Sequence, residues 1–256
     1  MIDAHNNNTI RKHFLQQTSL MQFRLFSKNW RNNMYKYDTH IHTSDVSGCA
    51  TASGIFQAVK YKEAGYDGII ITNHFLRGST CLVSKNAPWE ERINQFCSGY
   101  ERAKETGDEI GLKVFFGWEE TSDGQDFLIY GLDKQWLLEH PEVEHWTLEQ
   151  QFHEVNRYGG MVIHAHPFRN RPYISKIRLF PKLVNGVEVF NGGNYEDENR
   201  KAYMYAKEYD LMMTGGSDNH HHDIVFSGIA TEKPIHSIED YIRMIKEREP
   251  FRIIYA

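Results

Sequence analysis

Short apolar runs alternate with helical patterns from Met34 to the end of the chain, which predicts β/α units around a largely parallel sheet. The predicted helices are 53–64, 88–105, 134–139, 147–158 and 237–248, with Ser53 and Thr147 as N-caps. The predicted strands are 35–40, 67–72, 114–118, 127–130, 161–165, 186–190, 211–215 and 226–230, before a last apolar run at 251–255. We therefore expect one α/β domain, a barrel, over residues 34–256.

The fourth strand is expected to run antiparallel to the third. Only about seven residues separate Glu119 from the next apolar run, whereas a parallel crossover needs about a dozen or more. The sequence Ser122-Asp123-Gly124 has the composition of a tight turn. A hairpin at this point would place Asp126 at the same end of the sheet as Glu119.

Residues 1–33 differ in composition from the rest of the chain. They contain five basic residues and a single acid, Asp3. Organelle transit peptides have such a composition, but a start codon assigned too early is the simpler interpretation, because Met34 directly precedes the first predicted strand. We expect this N-terminal extension to be disordered or foreign to the native protein.

The composition of the whole chain narrows the classes of function. A hydrophobic content of 40% can fill a core, and a net charge of -5 does not favour binding to duplex nucleic acid or to an anionic membrane. No apolar run approaches the roughly 20 residues of a membrane span. The three cysteines, Cys49, Cys81 and Cys97, form no CxxC pair and are expected to be ordinary thiols in a reducing cytoplasm. Nothing in the sequence indicates an oligomeric state.

Side chains that can bind metals recur where predicted strands end. In barrels the carboxyl ends of the strands build the active site, so these side chains should converge. His40 and His42 share one face of the first strand, because side chains alternate with period two. Imidazoles and carboxylates together suit Zn²⁺, Mn²⁺ or Fe²⁺, and a carboxylate such as Glu119 can bridge two cations. The residues at these positions are His40, His42, His74, Glu119, His164, His166, Asp218 and His220.

Each motif alone has an ordinary structural explanation. His-x-His can be two plain strand histidines, and Ser217-Asp218-Asn219-His220 has turn chemistry. Their joint recurrence at strand ends is what favours a metal centre.

In order and spacing, these motifs resemble the polymerase and histidinol phosphatase (PHP) superfamily over residues 37–222. The resemblance rests on Asp38-Thr39-His40-Ile41-His42, Gly65–His74, Gly117-Trp118-Glu119, Ala165-His166-Pro167, Gly186–Asn191 and Gly216–His220. It implies a distorted (β/α)7 TIM-like barrel, two or three divalent metal ions, and hydrolysis of phosphoesters by a bridging hydroxide. The metal ligands that it implies are His40, His42, His74, Glu119, His166, Asp218 and His220.

Other candidate residues have weaker matches. Asn73 replaces the acid of the usual Thr-Asp-His motif, Asp45 falls earlier than the acid that commonly follows the first His pair, and Asp126 stands where many members have a histidine. Asp45 is therefore a candidate catalytic acid, and Asp126 a candidate ligand for a third metal. Arg169 is a candidate phosphate contact or a structural ion pair at the rim. His164 is a candidate substrate contact, or a hydrogen-bonding residue of the barrel wall.

Three functions are compatible with these residues. The first is a phosphoesterase that hydrolyses a small phosphorylated metabolite or nucleotide by metal-activated hydroxide. The second is hydrolysis of a C–N or C–O bond, as in amidohydrolases, although no lysine clearly matches the position of a bridging carbamate. The third is a catalytically degenerate metal-binding module, which retention of seven expected ligands disfavours.

Overall fold

The structure, a computed structural model, describes residues 34–172 and 174–255. The predicted N-terminal extension, residues 1–33, lies outside them. The described residues form nine strands in one nearly closed, barrel-shaped sheet, ordered β7-β6-β5-β4-β3-β2-β1-β8-β9. The strands are β1 (Tyr35–Ile41), β2 (Gly68–Ile71), β3 (Lys113–Ser122), β4 (Gln125–Tyr130), β5 (Met161–His164), β6 (Gly186–Asn191), β7 (Met212–Gly216), β8 (Ser227–Thr231) and β9 (Phe251–Tyr255).

Six α-helices surround this sheet within the described ranges. They are α1 (Gly54–Glu63), α2 (Trp89–Ile110), α3 (Lys134–Glu139), α4 (Leu148–Arg157), α5 (Glu196–Glu208) and α6 (Ile238–Lys246), with a 3₁₀ turn at Pro141–His145. Ser53 and Thr147 cap α1 and α4 as predicted, because each side chain accepts a hydrogen bond from a backbone N–H of the first turn. The sequence did not predict α5, whose pattern is dominated by charged residues.

The strand directions confirm the distorted barrel. β1, β2 and β3 are mutually parallel, as are β5, β6 and β7, whereas β4 is antiparallel to both of its neighbours. Thr121 pairs with Asp126 in the predicted β3–β4 hairpin, and Gly124 has the positive φ of +71° that the turn requires. The sheet departs from a regular barrel at β8, which pairs antiparallel with the edge of β1, and at β9, which pairs antiparallel with β8.

The inside of the barrel is filled by large side chains. Tyr37, Leu128, Tyr130 and Ile163 belong to one buried cluster, which α6 covers at one end through Tyr241. The Tyr130 hydroxyl donates to the Thr39 carbonyl oxygen at 2.8 Å, so it joins β4 to β1 across the interior. Metal-binding side chains can therefore gather only above this packed layer, at the other end of the barrel.

The barrel closes where the segment after β7 runs beside the end of β1. The Asp218 N–H donates to the His40 carbonyl at 2.8 Å, and the His42 N–H donates to the Asn219 carbonyl at 2.9 Å. The Asp38 carboxylate strengthens this contact, because it accepts from the Ser217 N–H at 3.0 Å and from the Tyr61 hydroxyl at 2.8 Å. We call this contact, between residues 38–42 and 217–219, the β1–β7 seam. It fixes the first and last groups of expected ligands relative to each other.

No helix of the described ranges has the length and apolarity needed to cross a membrane.

Candidate metal centre

All seven residues that the resemblance implied as metal ligands lie together at one end of the barrel. Their ligand atoms form three groups, and within each group the atoms lie within 4.8 Å of one another. These groups are His42 with His74 and His220, His40 with Glu119 and His166, and His40 with His42 and Asp218. The carboxyl ends of β1, β2, β3, β5 and β7 thus meet, as the strand-end argument predicts.

Glu119 occupies the centre of this cluster, and its two carboxylate oxygens face different histidines. Oε1 lies 3.1 Å from His166 Nε2 and 3.5 Å from His40 Nε2. Oε2 lies 2.8 Å from His74 Nδ1 and 3.3 Å from His42 Nε2. A carboxylate divided in this way is arranged to bridge two cations, one on each side.

Asp218 completes the cluster from the opposite side. Its Oδ1 lies 3.3 Å from His40 Nε2 and 3.2 Å from His42 Nε2, and these two nitrogens are 3.1 Å apart. Two ligands at about 2.0–2.1 Å from one tetrahedral zinc lie about 3.3–3.4 Å from each other. The spacing of these three atoms is that of metal ligands, and Asp218 could complete the cation site of either histidine.

The hydrogen bonding of Glu119 gives a second test of whether a metal fits. Its Oε2 is fully buried and has no well-formed hydrogen bond from any described residue, despite the imidazole nitrogens near it. A buried carboxylate oxygen without a donor is costly unless a cation faces it. The donor set of histidine nitrogens and carboxylate oxygens is also the one that zinc, manganese and iron accept.

Two of the candidate ligands have unusual backbone conformations. His166 has φ of +28° and Asp218 has φ of +57°, in the left-handed region that residues other than glycine seldom adopt. Such conformations cost on the order of 1–3 kcal/mol and persist where the surroundings impose them. Here they turn the two side chains into the cluster just after β5 and β7 end.

The charges in the cluster perturb one another strongly. Burial alone would lower the pKa of His40, but Asp218, Glu188 and Glu119 raise it well above its usual value. His74, beside Glu119, has its pKa raised to about 11 against the effect of burial. Burial would raise the pKa of Glu119, but His74 and His40 hold it well below its usual value. Protons and metal cations therefore compete for the same negative centre, and metal affinity should fall in acid.

Glu188 supports the cluster, and sequence reasoning did not single it out. Its Oε1 lies 2.9 Å from His40 Nδ1, and its Oε2 accepts from the His166 N–H at 3.0 Å and from Asn191 Nδ2 at 2.8 Å. By accepting from Nδ1 of His40, this carboxylate leaves Nε2 free to bind a metal. A fully buried charge within the apolar strand β6 was the signal that could have identified it.

Asn73 replaces the expected acid and binds the loop after β1. Its Oδ1 accepts from the Thr43 N–H at 2.7 Å and from the Ser47 hydroxyl at 3.1 Å. The Ser47 hydroxyl oxygen lies 3.4 Å from Nδ1 of His42. The side chain of Asn73 therefore holds the loop after β1, whose Ser47 lies beside His42.

Two candidates from the sequence do not join the cluster. The carboxylate of Asp45 accepts from Arg102 Nη1 at 2.6 Å and from the N–H of Gly54 at 2.7 Å, so it caps α1 instead of facing the metal ligands. His164 is fully buried, and its ring stacks on Phe127 with the centroids 5.0 Å apart. It belongs to the packed core and not to a substrate site, which corrects the sequence interpretation.

Asp126 and Arg169 lie next to the cluster. The Asp126 carboxylate accepts from the Thr121 hydroxyl at 2.7 Å, and burial together with Glu119 raises its pKa, but it belongs to none of the three ligand groups. Arg169 is almost buried and contacts the carboxylate of Asp218, a candidate metal ligand, through Nη1 at 2.6 Å. Arg169 thus forms an ion pair at the rim of the barrel and also places a positive charge beside the cluster.

Cys49 is a neighbour of the site that the sequence treated as an ordinary thiol. Burial would raise the pKa of this thiol, but hydrogen bonds with His220 and His74 lower it to about 6. Its position near the ends of two predicted ligand motifs was too weak a signal to assign it.

Comparison with known proteins finds one family model that matches part of the chain and one relative of known sequence. Residues 196–250, which include Asp218 and His220, match the family model described as PHP-associated. An uncharacterized protein of Methanocaldococcus jannaschii is 33% identical over 114 residues, which is 39% of this chain and 48% of that protein. The chain thus spans about half the length of this relative.

Solved structures share the fold at low sequence identity. A two-domain protein of Bacteroides vulgatus, containing a predicted PHP-like metal-dependent phosphoesterase, superposes with a TM-score of 0.64 at 16% identity, covering 90% of this chain and 70% of that one. An amidohydrolase of Chromobacterium violaceum superposes with a TM-score of 0.53 at 14% identity, covering 86% and 98%. The solved structures thus show a shared barrel fold, and the PHP-associated match covers residues 196–250 of the chain.

Proposed function

We propose that the chain is a metal-dependent phosphoesterase that hydrolyses a small phosphorylated metabolite or nucleotide. The observation that carries this proposal is the division of the Glu119 carboxylate between two sets of histidines. His42, His74 and His220 would hold one cation with Oε2, and His40 and His166 would hold the other with Oε1. Cations bound there would lower the pKa of a water ligand enough to supply hydroxide near neutral pH.

Arg169 supports a phosphorylated substrate over a neutral one. The guanidinium donates from Nε to Asn194 at 2.9 Å and from Nη2 to Asn191 at 2.8 Å, while Nη1 contacts Asp218. A guanidinium has five N–H groups, so a hydrogen remains on each Nη atom for a phosphate oxygen. The guanidinium of Arg169, held in place by these contacts, lies beside the Asp218 carboxylate, where the phosphate of a substrate would bind.

Hydrolysis of an amide or a C–O bond is the second candidate, because a neighbour with the same barrel is called an amidohydrolase. Among the described residues, the ion pairs of Glu119 and Asp218 involve only histidines and Arg169. A lysine, such as a carbamate bridge would need, is not one of their partners. This pattern favours the phosphoesterase.

The test combines metal analysis with a substrate panel. The purified protein should contain about one or more equivalents of metal, and with Mn²⁺ or Zn²⁺ it should release phosphate from p-nitrophenyl phosphate or from a phosphorylated panel member. His40→Ala should reduce turnover at least about 100-fold and lower the metal content. His153→Ala, on the exposed side of α4, is the matched control and should leave both unchanged.

Three results would contradict the proposal. One is protein that neither retains nor responds to metal, and a second is full activity in His40→Ala. The third is cleavage of amide substrates without release of phosphate from any phosphorylated compound, which would favour the amidohydrolase.

A further inference from the structure

Three buried side chains beside the metal centre form a chain of hydrogen bonds from Asn73 through Ser47 to His42. Ser47 and His42 are fully buried, and Asn73 is 2% exposed. The Ser47 hydroxyl oxygen lies 3.1 Å from Oδ1 of Asn73, 3.4 Å from Nδ1 of His42 and 3.2 Å from the backbone nitrogen of His74. A hydroxyl has one hydrogen and two lone pairs, so the first and last of these contacts decide the role of the second.

A backbone group fixes the orientation of the Asn73 amide. The Thr43 N–H can only donate, and it lies 2.7 Å from Oδ1 of Asn73. On the other side of the amide, Nδ2 donates to Oγ1 of Thr43 at 3.0 Å. Oδ1 is therefore an acceptor, and the Ser47 hydroxyl donates its single hydrogen to it.

With its hydrogen directed at Asn73, the Ser47 oxygen offers only lone pairs to its other neighbours. One lone pair accepts the backbone N–H of His74. The other faces Nδ1 of His42, which must carry a hydrogen, because two facing lone pairs would repel each other. A neutral imidazole with a hydrogen on Nδ1 has its free lone pair on Nε2, and Nε2 of His42 is the atom that lies 3.2 Å from Asp218 Oδ1.

From this order of donors and acceptors we propose that Ser47, oriented by Asn73, is a positioning residue for metal binding. Its hydroxyl holds the imidazole of His42 in the tautomer whose Nε2 can bind a cation. The inference rests on the metal centre of the proposed function, since it assumes that His42 is a ligand, but it requires no particular substrate. Nδ1 of His40 faces the carboxylate of Glu188 instead, so a charged group orients one histidine of β1 and a neutral hydroxyl orients the other.

The first test is the tautomer of His42 in the full-length protein after chelation of metals. A long-range proton–nitrogen correlation spectrum of protein with isotope-labelled histidines distinguishes a hydrogen on Nδ1 from one on Nε2, and His42→Gln identifies the signal. The wild type should carry the hydrogen on Nδ1. Ser47→Ala should lose this preference, because the hydrogen no longer has an acceptor. A wild type with the hydrogen on Nε2 would overturn the proposal.

The second test is the affinity for Zn²⁺, measured by competition with a chromophoric chelator. Ser47→Ala should bind Zn²⁺ about 10-fold more weakly than the wild type, because a cation on Nε2 requires a hydrogen on Nδ1 that then has no acceptor. Asn73→Ala frees the Ser47 hydrogen to turn toward Nδ1 of His42 and should also weaken binding. In the double variant Ser47→Ala/Asn73→Ala the two losses should not add, because both act through one hydrogen bond.

Two further variants separate this role from damage to the fold. An aspartate has only acceptor oxygens, so Asn73→Asp still takes the Ser47 hydrogen; it should keep the tautomer and bind Zn²⁺ at least as tightly as the wild type. Ser227 is also fully buried, but its hydroxyl donates to the Gly216 carbonyl oxygen at 2.7 Å. Ser227→Ala should therefore lose stability and keep the wild-type affinity.

Zinc binding by Ser47→Ala within about twofold of the wild type would overturn the proposal, as would equal losses in Asn73→Asp and Asn73→Ala. A wild type that binds no zinc would overturn both this proposal and the metal centre on which it rests. Neither measurement requires turnover, so failure to release phosphate from any substrate would refute the proposed reaction alone.

Discussion

Replacing Glu188 by glutamine should weaken metal binding without unfolding the barrel. Three donors converge on the wild-type carboxylate, namely Nδ1–H of His40, the N–H of His166, and Nδ2 of Asn191. Glutamine has one carbonyl oxygen and one NH₂ group, so either His40 or the other two donors would face an N–H. The variant also removes the negative charge that makes the imidazole of His40 a better ligand.

The size of the effect follows from this geometry. Loss of such an outer partner reduces metal affinity about 10- to 100-fold, which corresponds to about 1.4–2.7 kcal/mol of binding free energy. Competition with a chromophoric chelator for Zn²⁺ or Mn²⁺ measures this change directly, and circular dichroism checks that the fold is retained.

Glu198→Gln is the matched control for this experiment. Glu198 is also a buried carboxylate, and it accepts from the backbone N–H groups of Asn170 and Tyr195, each at 2.8 Å, but it contacts no metal ligand. Its variant should lose stability and keep its metal affinity. If Glu188→Gln bound metal within about twofold of the wild type, the role assigned to this carboxylate would be refuted.

Three further predictions concern stability. Burial together with the charge of His166 lowers the pKa of His164 to about 3. Because this folded value lies below the unfolded value of about 6.5, the contribution of His164 to stability is fully present above pH 6.5 and is lost as the pH falls toward 3. Between pH 7 and 5, urea unfolding should therefore show that the wild type loses about 2 kcal/mol more stability than His164→Leu. Equal pH dependence would disprove this. A Cβ at Gly54 would lie 2.2 Å from the Gly99 carbonyl oxygen, so Gly54→Ala should push α1 away from α2 and lower the free energy of unfolding by on the order of 1–3 kcal/mol. A Cβ at Gly159 would meet open space, so Gly159→Ala should lose less stability than Gly54→Ala despite its φ of +85°. Similar melting temperatures for the two variants would contradict this. Chelation should lower the melting temperature, because free metal at 100 times its Kd stabilises the fold by about 2.7 kcal/mol, and a scanning calorimetry trace unchanged by EDTA would contradict a bound cation.

The clustering of the candidate metal ligands was predictable because it depends on topology alone. Parallel strands end at the same side of a sheet, so histidines and acids at successive strand ends had to meet. The hairpin was predictable from chain length, since seven residues cannot form a crossover. Both arguments require only the order of elements along the chain.

The features that sequence reasoning missed depend on tertiary contacts. Simple alternation puts His164 and His166 on one face, but β5 ends at His164, and the positive φ of His166 turns the second side chain into the cluster. Glu188 acts through one imidazole and one backbone N–H, and no motif specifies either contact. In α5, the charged residues obscured the small apolar face formed by Ala202, Tyr205 and Ala206.

The β1–β7 seam also has a consequence for the unfolded chain. Ser217 and His40, which contact each other there through the hydroxyl and the carbonyl, are 177 positions apart in the sequence. Closing a flexible loop of that length costs about 5 kcal/mol of chain entropy. A cation that takes ligands from both sides of the seam would act as a reversible cross-link over most of the chain. An unfolded polypeptide could form this cross-link only at the entropy cost of closing the loop. Capture of such a cation is therefore expected late in folding, together with the closure of the barrel itself.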